Sequence, residues 1–589
     1  MKTLISSLLL FSACVGTVAA DQRRPNVLFI AVDDLRPELG CYGNRVVKSP
    51  HMDRLAARGV VFDRAYCAQA VCSPSRTAMM TGLRPDSTKV WDLNTHFRAA
   101  APDCVTLPQY FKSQGWKCAA LGKIYHNGFE DGRSWSEPHW YPRGNSVDTD
   151  PLDWTKRIVT KHAVSVTEYA NPMAEGPARK NGKAPKQGPA FEVSPKVDDE
   201  LPDGAVAAEA VKRIATLSKG AQPFFLAVGF VKPHLGFVAP KKYWDLYDPT
   251  RIPGPATDKL PRGTAEFVGH TNGELHAYPG VPKENPIPAE FATKLRHGYY
   301  ACISYTDAQI GRLLDALDAA GVADNTIIVL WGDHGWQLGD HGLWHKHTNF
   351  ELAARAPLLI SAPRLMTAGQ KCEAPVEFVD VYPTLADLCD LTIPQGLAGK
   401  SLKVYLETPG APMQKPALSQ YPRSSAEHGG ALMGYSVRTE RWRCTFWRKR
   451  GGAEIKYVEL YDEVNDPHET VNLATRAEHA DMIASLQKHL PAVGSDSPPA
   501  ASAKPAAKLA KKGAAATPKD EDRVARFARL YPGKDQVTLE EYLAGQGGDK
   551  QAARERFKKM DRDADGLVTR SEFVGDTKPT KSPSTKNVP

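Results

Sequence analysis

Metal-seeking side chains stand in pairs at the ends of two apolar runs. Asp33-Asp34 follows Asn26-Val27-Leu28-Phe29-Ile30-Ala31-Val32, and Asp333-His334 closely follows Thr326-Ile327-Ile328-Val329-Leu330-Trp331. Paired carboxylates suit a hard divalent cation, which gathers oxygen ligands from several segments. One such pair could equally begin a helix as an N-cap. Two of them after two separate runs, with Cys72 between them in sequence, favour the cation. Lys123, His126, Lys232-Pro233-His234 and Lys346 add cations and imidazoles. Fixed cations stabilise developing negative charge, and imidazoles move protons near neutral pH. Taken singly, each of these is an ordinary surface lysine or a structural histidine, so their meaning depends on what brings them together.

The elements that would do so are legible as short β-branched or aromatic runs bounded by turn residues. The 26–32 and 326–331 runs are joined by Phe224-Phe225-Leu226-Ala227-Val228-Gly229-Phe230, by Pro357-Leu358-Leu359-Ile360 and by a weaker run at Cys118-Ala119-Ala120. Helical spacing appears over 51–58, 204–217 and 305–320. Strands alternating with helices predict an α/β fold, a large mixed, mostly parallel sheet sandwiched by helices. In open sheets of this kind ligands bind at the carboxyl ends of the strands. Four runs end there in Asp33-Asp34, Gly122-Lys123 with His126, Lys232-Pro233-His234 and Asp333-His334. Residues 140–200 and 248–290 lack periodicity and read as long surface insertions. Short aromatic strands at 435–438 and 442–446, then a helix over 477–490, predict a smaller C-terminal α+β subdomain over 401–492. Residues 493–520 are Ala, Pro, Lys and Ser and read as a flexible linker. A compact segment follows over 521–575, and 576–589 reads as a disordered tail.

Cys72-Ser73-Pro74-Ser75-Arg76 resembles the modification signature of the sulfatase family. The resemblance extends through Ala31 to Pro37, Gly122-Lys123 with His126, Lys232-Pro233-His234 and Gly332-Asp333-His334-Gly335-Trp336. It covers roughly residues 24–480 and implies an alkaline-phosphatase-like fold with a catalytic domain over 21–400. His334 after the second metal aspartate, with Gly339-Asp340-His341-Gly342, Lys346 and Trp91-Asp92-Leu93-Asn94, is similar to the iduronate-2-sulfatase branch. In that family a maturation enzyme oxidises the cysteine to formylglycine, whose hydrate supplies the nucleophile. The resemblance therefore implies that Asp33, Asp34, Asp333, His334 and the converted Cys72 hold calcium. It also implies that Arg76, Lys123 and Lys346 bring positive charge to the sulfate and the hydrate. His126 would take a proton from the hydrate, and His234 would contact the sulfate or protonate the leaving oxygen, with Lys346 a rival for that role. His51, His341, His345 and His347 have no such support and are expected to be scaffold.

Asp561-Arg562-Asp563-Ala564-Asp565-Gly566, leading to Thr569 and Glu572, resembles an EF-hand loop. The carboxylates alternate, a glycine stands at the turn, and the last glutamate falls where a bidentate ligand belongs. The resemblance implies calcium held by Asp561, Asp563, Asp565 and Glu572 in the loop 561–572. An upstream half is weaker: Val537-Thr538 and Glu541 parallel Val568-Thr569 and Glu572, while Tyr531-Pro532-Gly533-Lys534 replaces the acidic ligands. It is expected to pack as a structural mate in a small helical EF-hand-like module.

Lys and Arg number 75 against 67 Asp and Glu, a formal +8 that does not by itself indicate nucleic-acid binding. Lys2, the apolar stretch Leu4 to Phe11 and Val18-Ala19-Ala20 read as a secretory signal over 1–20. No later run is apolar enough to span a membrane, so the mature chain is expected to be exported, periplasmic or secreted. Eight cysteines besides Cys14 and Cys72 could form disulfides there, in a pattern that spacing does not fix. The expected protein is a calcium-dependent sulfatase acting on a sulfated carbohydrate, a 2-O-sulfated uronate first and another sulfated polysaccharide unit second. A phosphatase or phosphodiesterase would carry Ser or Thr in place of Cys72. A non-catalytic calcium-dependent glycan-binding protein would leave that cysteine unconverted.

Overall fold

The computed structural model describes residues 24–142, 145–149, 157–159, 188–495, 535–544, 554, 557–558, 560–561 and 567–569. Residues 1–20, read above as a signal, nearly all of the expected linker over 493–520 and the expected tail over 576–589 lie outside the described residues. The chain forms two compact units, Met1–Ala500 and Ala501–Pro589.

In chain order the main elements of the first unit are β1 (Asn26–Val32), α1 (Pro50–Arg58), β2 (Val60–Phe62), α2 (Cys72–Thr81), β3 (Lys117–Gly122), β4 (His139–Tyr141), β5 (Asn145–Thr149) and β6 (Arg157–Val159). Then come α3 (Pro202–Leu217), β7 (Phe224–Phe230), α4 (Ala289–Ala319), β8 (Thr326–Gly332), β9 (Leu358–Ser361) and β10 (Lys371–Cys372). Ten strands make one sheet in the order β10-β2-β9-β8-β1-β7-β3-β4-β5-β6. Its centre, β8-β1-β7-β3-β4, is parallel, while β9 runs antiparallel to both β8 and β2. Every residue of β1, β7 and β8 is buried, as expected where helices cover both faces. Alternation along β1 divides the core. Leu28, Ile30 and Val32 pack with α3 and α4 residues such as Val206, Ile214 and Leu295. Val27, Phe29 and Ala31 pack with Met79 and Met80 of α2 on the other face.

The parallel sheet is as expected, and two of its surroundings differ from the reading by periodicity. Helix α4 runs 31 residues from Ala289, whereas only 305–320 carried the spacing. Its middle, from Gly298 through Tyr299 and Tyr300 to Asp307, is buried all round, which erases a one-sided stripe. Part of 140–200 extends the main sheet as β5 and β6. Within 248–290, Val268, Asn272, Leu275 and Tyr278 are buried and anchor the stretch to the fold at several points.

The C-terminal layer holds β11 (Ala417–Ser425), β12 (Gly430–Arg438), β13 (Trp442–Lys449), β14 (Ile455–Asp462) and α5 (Ala480–Gln487). The strands form an antiparallel meander. One face packs on α5 through Val437, Phe446, Leu460 and Leu486. The other packs Leu432, Trp447 and Tyr461 against Leu343 and Phe350 of the segment that carries Lys346. In the second unit β15 (Gln536–Thr538) pairs antiparallel with β16 (Leu567–Thr569), Val537 opposite Val568, over Tyr542 and Phe557. No described helix is long and apolar enough to cross a membrane. All nine cysteines among the described residues are free thiols.

Candidate active site

Parallel pairing sets the level of the site. Val32 of β1 lies opposite Gly332 of β8 and Phe230 of β7. The residues that follow, Asp33, Asp333 and the 231–234 turn, therefore leave the sheet at one edge. Asp33 N–H donates to the Phe230 carbonyl at 3.1 Å and Asp333 N–H to that of Val32 at 3.2 Å, so the ladder extends one step past the strands. Asp34 then turns left-handed, with φ of 58°. Its N–H reaches Asp333 Oδ1 at 3.0 Å, which tolerates a conformation that is unusual for a residue with a Cβ. On the far side of β7, Gly229 lies opposite Gly122, and a Cβ there would collide with the Lys123 backbone. The glycine lets Lys123 come down beside Asp33.

Cys72 is the first residue of α2, a helix buried along its whole length. Pro74 fits the first turn, where its missing N–H is no loss. Cys72 Sγ lies 3.3 Å from His334 Nε2 and 3.9 Å from Lys123 Nζ. Burial, then the Asp33 charge, pushes its thiol well above the ordinary range. One turn on, Arg76 is fully buried and clamps both acidic ends: Nε to Asp333 Oδ2 at 2.8 Å and a terminal nitrogen to Asp33 Oδ1 at 3.0 Å. It also donates to the carbonyls of Lys123 and Ile124. Lys123 Nζ pairs with Asp33 Oδ2. Lys346 Nζ lies 3.1 Å from Asp34 Oδ1 and 2.7 Å from Glu274 Oε1. His234 Nε2 stands 3.5 Å from Glu274 Oε1 and 3.8 Å from Asp34 Oδ2. His126 is pushed down to about 3 by burial and the Lys123 charge, and His234 to about 3 by burial and the Lys346 charge.

Asp33, Asp34, Cys72 and His334 each present one ligand atom, all within 4.8 Å of one another. His334 Nδ1 is 3.0 Å from the Gly335 carbonyl, so donation there leaves the Nε2 lone pair facing the cluster. Burial raises the Asp34 carboxyl well above its usual range, and the nearby Asp33, Glu274 and Asp333 charges add to that. Buried, mutually repelling carboxylates beside an imidazole lone pair fit a divalent cation.

A model of the sulfatase family matches residues 25–391, and one described as the C-terminal region of N-sulphoglucosamine sulphohydrolase matches 339–496. The chain belongs to the sulfatase family. It is 32% identical to the iduronate 2-sulfatase of Mus musculus, over 82% of this chain and 98% of that protein. It is also 32% identical to a sulfatase of Formosa agariphila, over 82% of this chain and 91% of that one. A solved structure in complex with its substrate D-glucosamine-2-N,6-O-disulfate superposes with a TM-score of 0.59 at 23% identity, covering 79% of this chain and 96% of that one. That likeness speaks for the fold alone. As a sulfatase the chain is a sulfuric ester hydrolase.

Of the residues singled out in sequence, Asp33, Asp34, Cys72, Arg76, Lys123, His234, Asp333, His334 and Lys346 meet through the contacts above. His126 adjoins them through the Lys123 and Asp33 charges. Of the C-terminal set only Asp561 is described; Asp563, Asp565 and Glu572 lie outside the described residues. Glu274, bonded to Lys346 and facing His234, was not foreseen. It sits in the aperiodic 248–290 stretch, and nothing in its sequence neighbourhood marks it.

Proposed function

We propose that this sulfatase hydrolyses the 2-O-sulfate of a uronate in a sulfated carbohydrate, with residue 72 converted to formylglycine and calcium held by Asp33, Asp34, Asp333, His334 and residue 72. The observation that carries the chemistry is the buried start of α2, where Cys72 faces His334 and Lys123 between two carboxylate-bearing strand ends. The uronate reading is supported by the mouse and human iduronate 2-sulfatases at 32% identity. When bound, calcium would polarise the sulfate and stabilise charge on the attacking oxygen.

The chain's own residues do the rest. Burial opposes the charge of Lys123, but Asp33 more than offsets it, so Lys123 stays an ammonium; burial likewise opposes Lys346, and Asp34 and Glu274 hold it charged. Both cations bind the sulfate in a site that excludes water, where they act most strongly. Arg76, spent on two carboxylates, orients them. His126 is neutral at neutral pH, with Nδ1 buried and unpartnered among the described residues. It accepts the proton of the residue 72 hydrate. His234 Nδ1 lies 2.5 Å from the Leu235 carbonyl, which leaves Nε2 for the substrate. An arriving sulfate raises the proton affinity of Nε2, the direction needed to protonate the leaving oxygen.

The same reading assigns residues 561–572 to an EF-hand-like calcium loop, supported by the pairing of Val537 with Val568. It assigns conversion of Cys72 to a maturation enzyme, and export to segment 1–20. The test is sulfate release from defined sulfated disaccharides by converted enzyme. Selective loss of a uronate 2-O-sulfate is expected. Release of a hexosamine or galactose sulfate while every uronate sulfate survives would overturn the substrate assignment and leave the sulfatase.

A further inference from the structure

A second polar cluster borders Lys346 and takes no part in the chemistry above. The His270 and His345 rings stack at 3.8 Å, and His347 meets His345 edge-on at 4.6 Å. Tyr421 of β11 lies 5.7 Å from His347, and the Arg423 guanidinium sits 4.5 Å over the Tyr421 ring. Glu274 joins this cluster to the sulfate end: Oε1 binds Lys346 at 2.7 Å, while Oε2 lies 3.7 Å from His345 Nδ1.

Buried polar atoms without a hydrogen-bond partner gather here. They are His270 Nε2, Glu274 Oε2, both amide atoms of Gln337, both ring nitrogens of His345, His347 Nε2 and Arg423 Nε. Native structures leave few such atoms unmatched, so a concentration of them marks a place where something binds. Arg423 is the sharper sign. Its terminal nitrogens reach the carbonyls of Pro422, Val268 and His347, and its guanidinium also interacts with the Tyr421 hydroxyl. Among the described residues it has no carboxylate partner, and a largely buried charge without one is costly. A metal ion would suit two imidazoles and a carboxylate, but the field here is wrong for one. Lys346 and Arg423 flank the cluster, and the lone carboxylate is already bonded to Lys346. Burial, then the Lys346, His270 and Arg423 charges against the Glu274 charge, hold His347 near 3, so its ring is a neutral N–H donor. Positive field with unspent donors fits an anion. One free guanidinium edge and one imidazole N–H match the two oxygens of a carboxylate.

We propose that this pocket receives the carboxylate of the sulfated sugar, with Arg423 Nε–H and His347 Nε2–H as donors and Glu274 Oε2 accepting from a ring hydroxyl. Arg423 is then a specificity-determining residue that distinguishes a sugar acid from a neutral sugar. The proposal rests on the uronate reading and adds the side chains that enforce it.

The test compares kcat/KM for a 2-O-sulfated uronate disaccharide and its carboxyl-reduced counterpart, in the full-length converted enzyme and in Arg423→Ala, Arg423→Lys and His347→Ala. Wild type is expected to prefer the uronate by roughly 10- to 100-fold, the worth of a charge-assisted hydrogen bond. The preference should collapse in Arg423→Ala, through KM more than kcat, and return in part in Arg423→Lys. Loss of both substrates in equal proportion, with the preference kept, would make Arg423 a structural support and overturn the proposal. Wild type that cleaves the uronate with no preference over the reduced sugar would overturn the pocket alone. Wild type that cleaves only the reduced sugar would overturn the uronate reading and the pocket together. One equivalent of tightly held zinc, lost in His345→Ala and His347→Ala, would replace the anion pocket with a metal centre.

Discussion

Glu351→Gln tests how the C-terminal layer is fastened to the catalytic one. Glu351 is 6% exposed and follows the segment that carries Lys346. Its carboxylate accepts from Tyr66 Oη at 3.0 Å and Arg438 Nε at 3.2 Å, and pairs with Arg443, which is 1% exposed. Glutamine keeps the shape and removes the charge facing two buried guanidinium groups. Breaking a buried pair by altering one partner costs about 3–5 kcal/mol. Unfolding entropy of about 2.1 cal/mol/K per residue over roughly 470 residues gives about 1 kcal/mol/K, so Tm should fall by about 3–5 °C.

The pH dependence follows from the neighbours. Burial would raise the Glu351 carboxyl, but Arg438 and Arg443 hold it well below the usual range, so its contribution is complete above the unfolded pKa and constant from pH 5 to 8. Glu463 is pushed up to about 7 by burial and then by the Glu351 charge. A raised carboxyl stabilises below its unfolded pKa and loses that stability as pH rises towards its folded pKa. Removing the Glu351 charge lowers Glu463, so the variant loses less over that span. The Tm gap between wild type and Glu351→Gln, followed by differential scanning fluorimetry, should therefore narrow from pH 5 to 8. A gap under 1 °C, or one that widens with pH, would refute the reasoning.

Cys72→Ala should abolish sulfate release while leaving Tm close to wild type; retained turnover would remove the formylglycine mechanism. With the proton acceptor His126 near 3, the acidic limb of kcat/KM should lie below pH 5 and not near the 6.5 of a free imidazole, and a limb at 6.5 would show a different proton acceptor. Deleting residues 496–589 should leave hydrolysis of a small aryl sulfate largely intact, because the first compact unit already contains Cys72, Arg76 and Lys346. A large loss would give the second unit a part in the site.

The residues at the strand ends were legible because buried parallel strands announce themselves as continuous apolar runs, and whatever polar residue follows must sit at the sheet edge. That logic reaches Asp33, Lys123, His234 and Asp333 without any knowledge of their neighbours. It does not give the direction of β9, since an antiparallel strand buried on both faces reads the same as a parallel one. It also misses β11, where Ser419, Gln420, Pro422 and Arg423 break the alternation because they serve hydrogen bonds and the site rim rather than a core. Glu274 was beyond reach for another reason. Its place depends on Asn272, a buried left-handed residue with φ of 56°. The Asn272 amide donates to the Gly342 carbonyl at 3.2 Å and accepts from Trp344 N–H at 2.8 Å. Those two bonds lash an aperiodic stretch to the Lys346 segment some seventy residues away. Local periodicity records what an element buries against its own sheet. It cannot record a loop held by another loop, which is how Glu274 comes to stand beside Lys346.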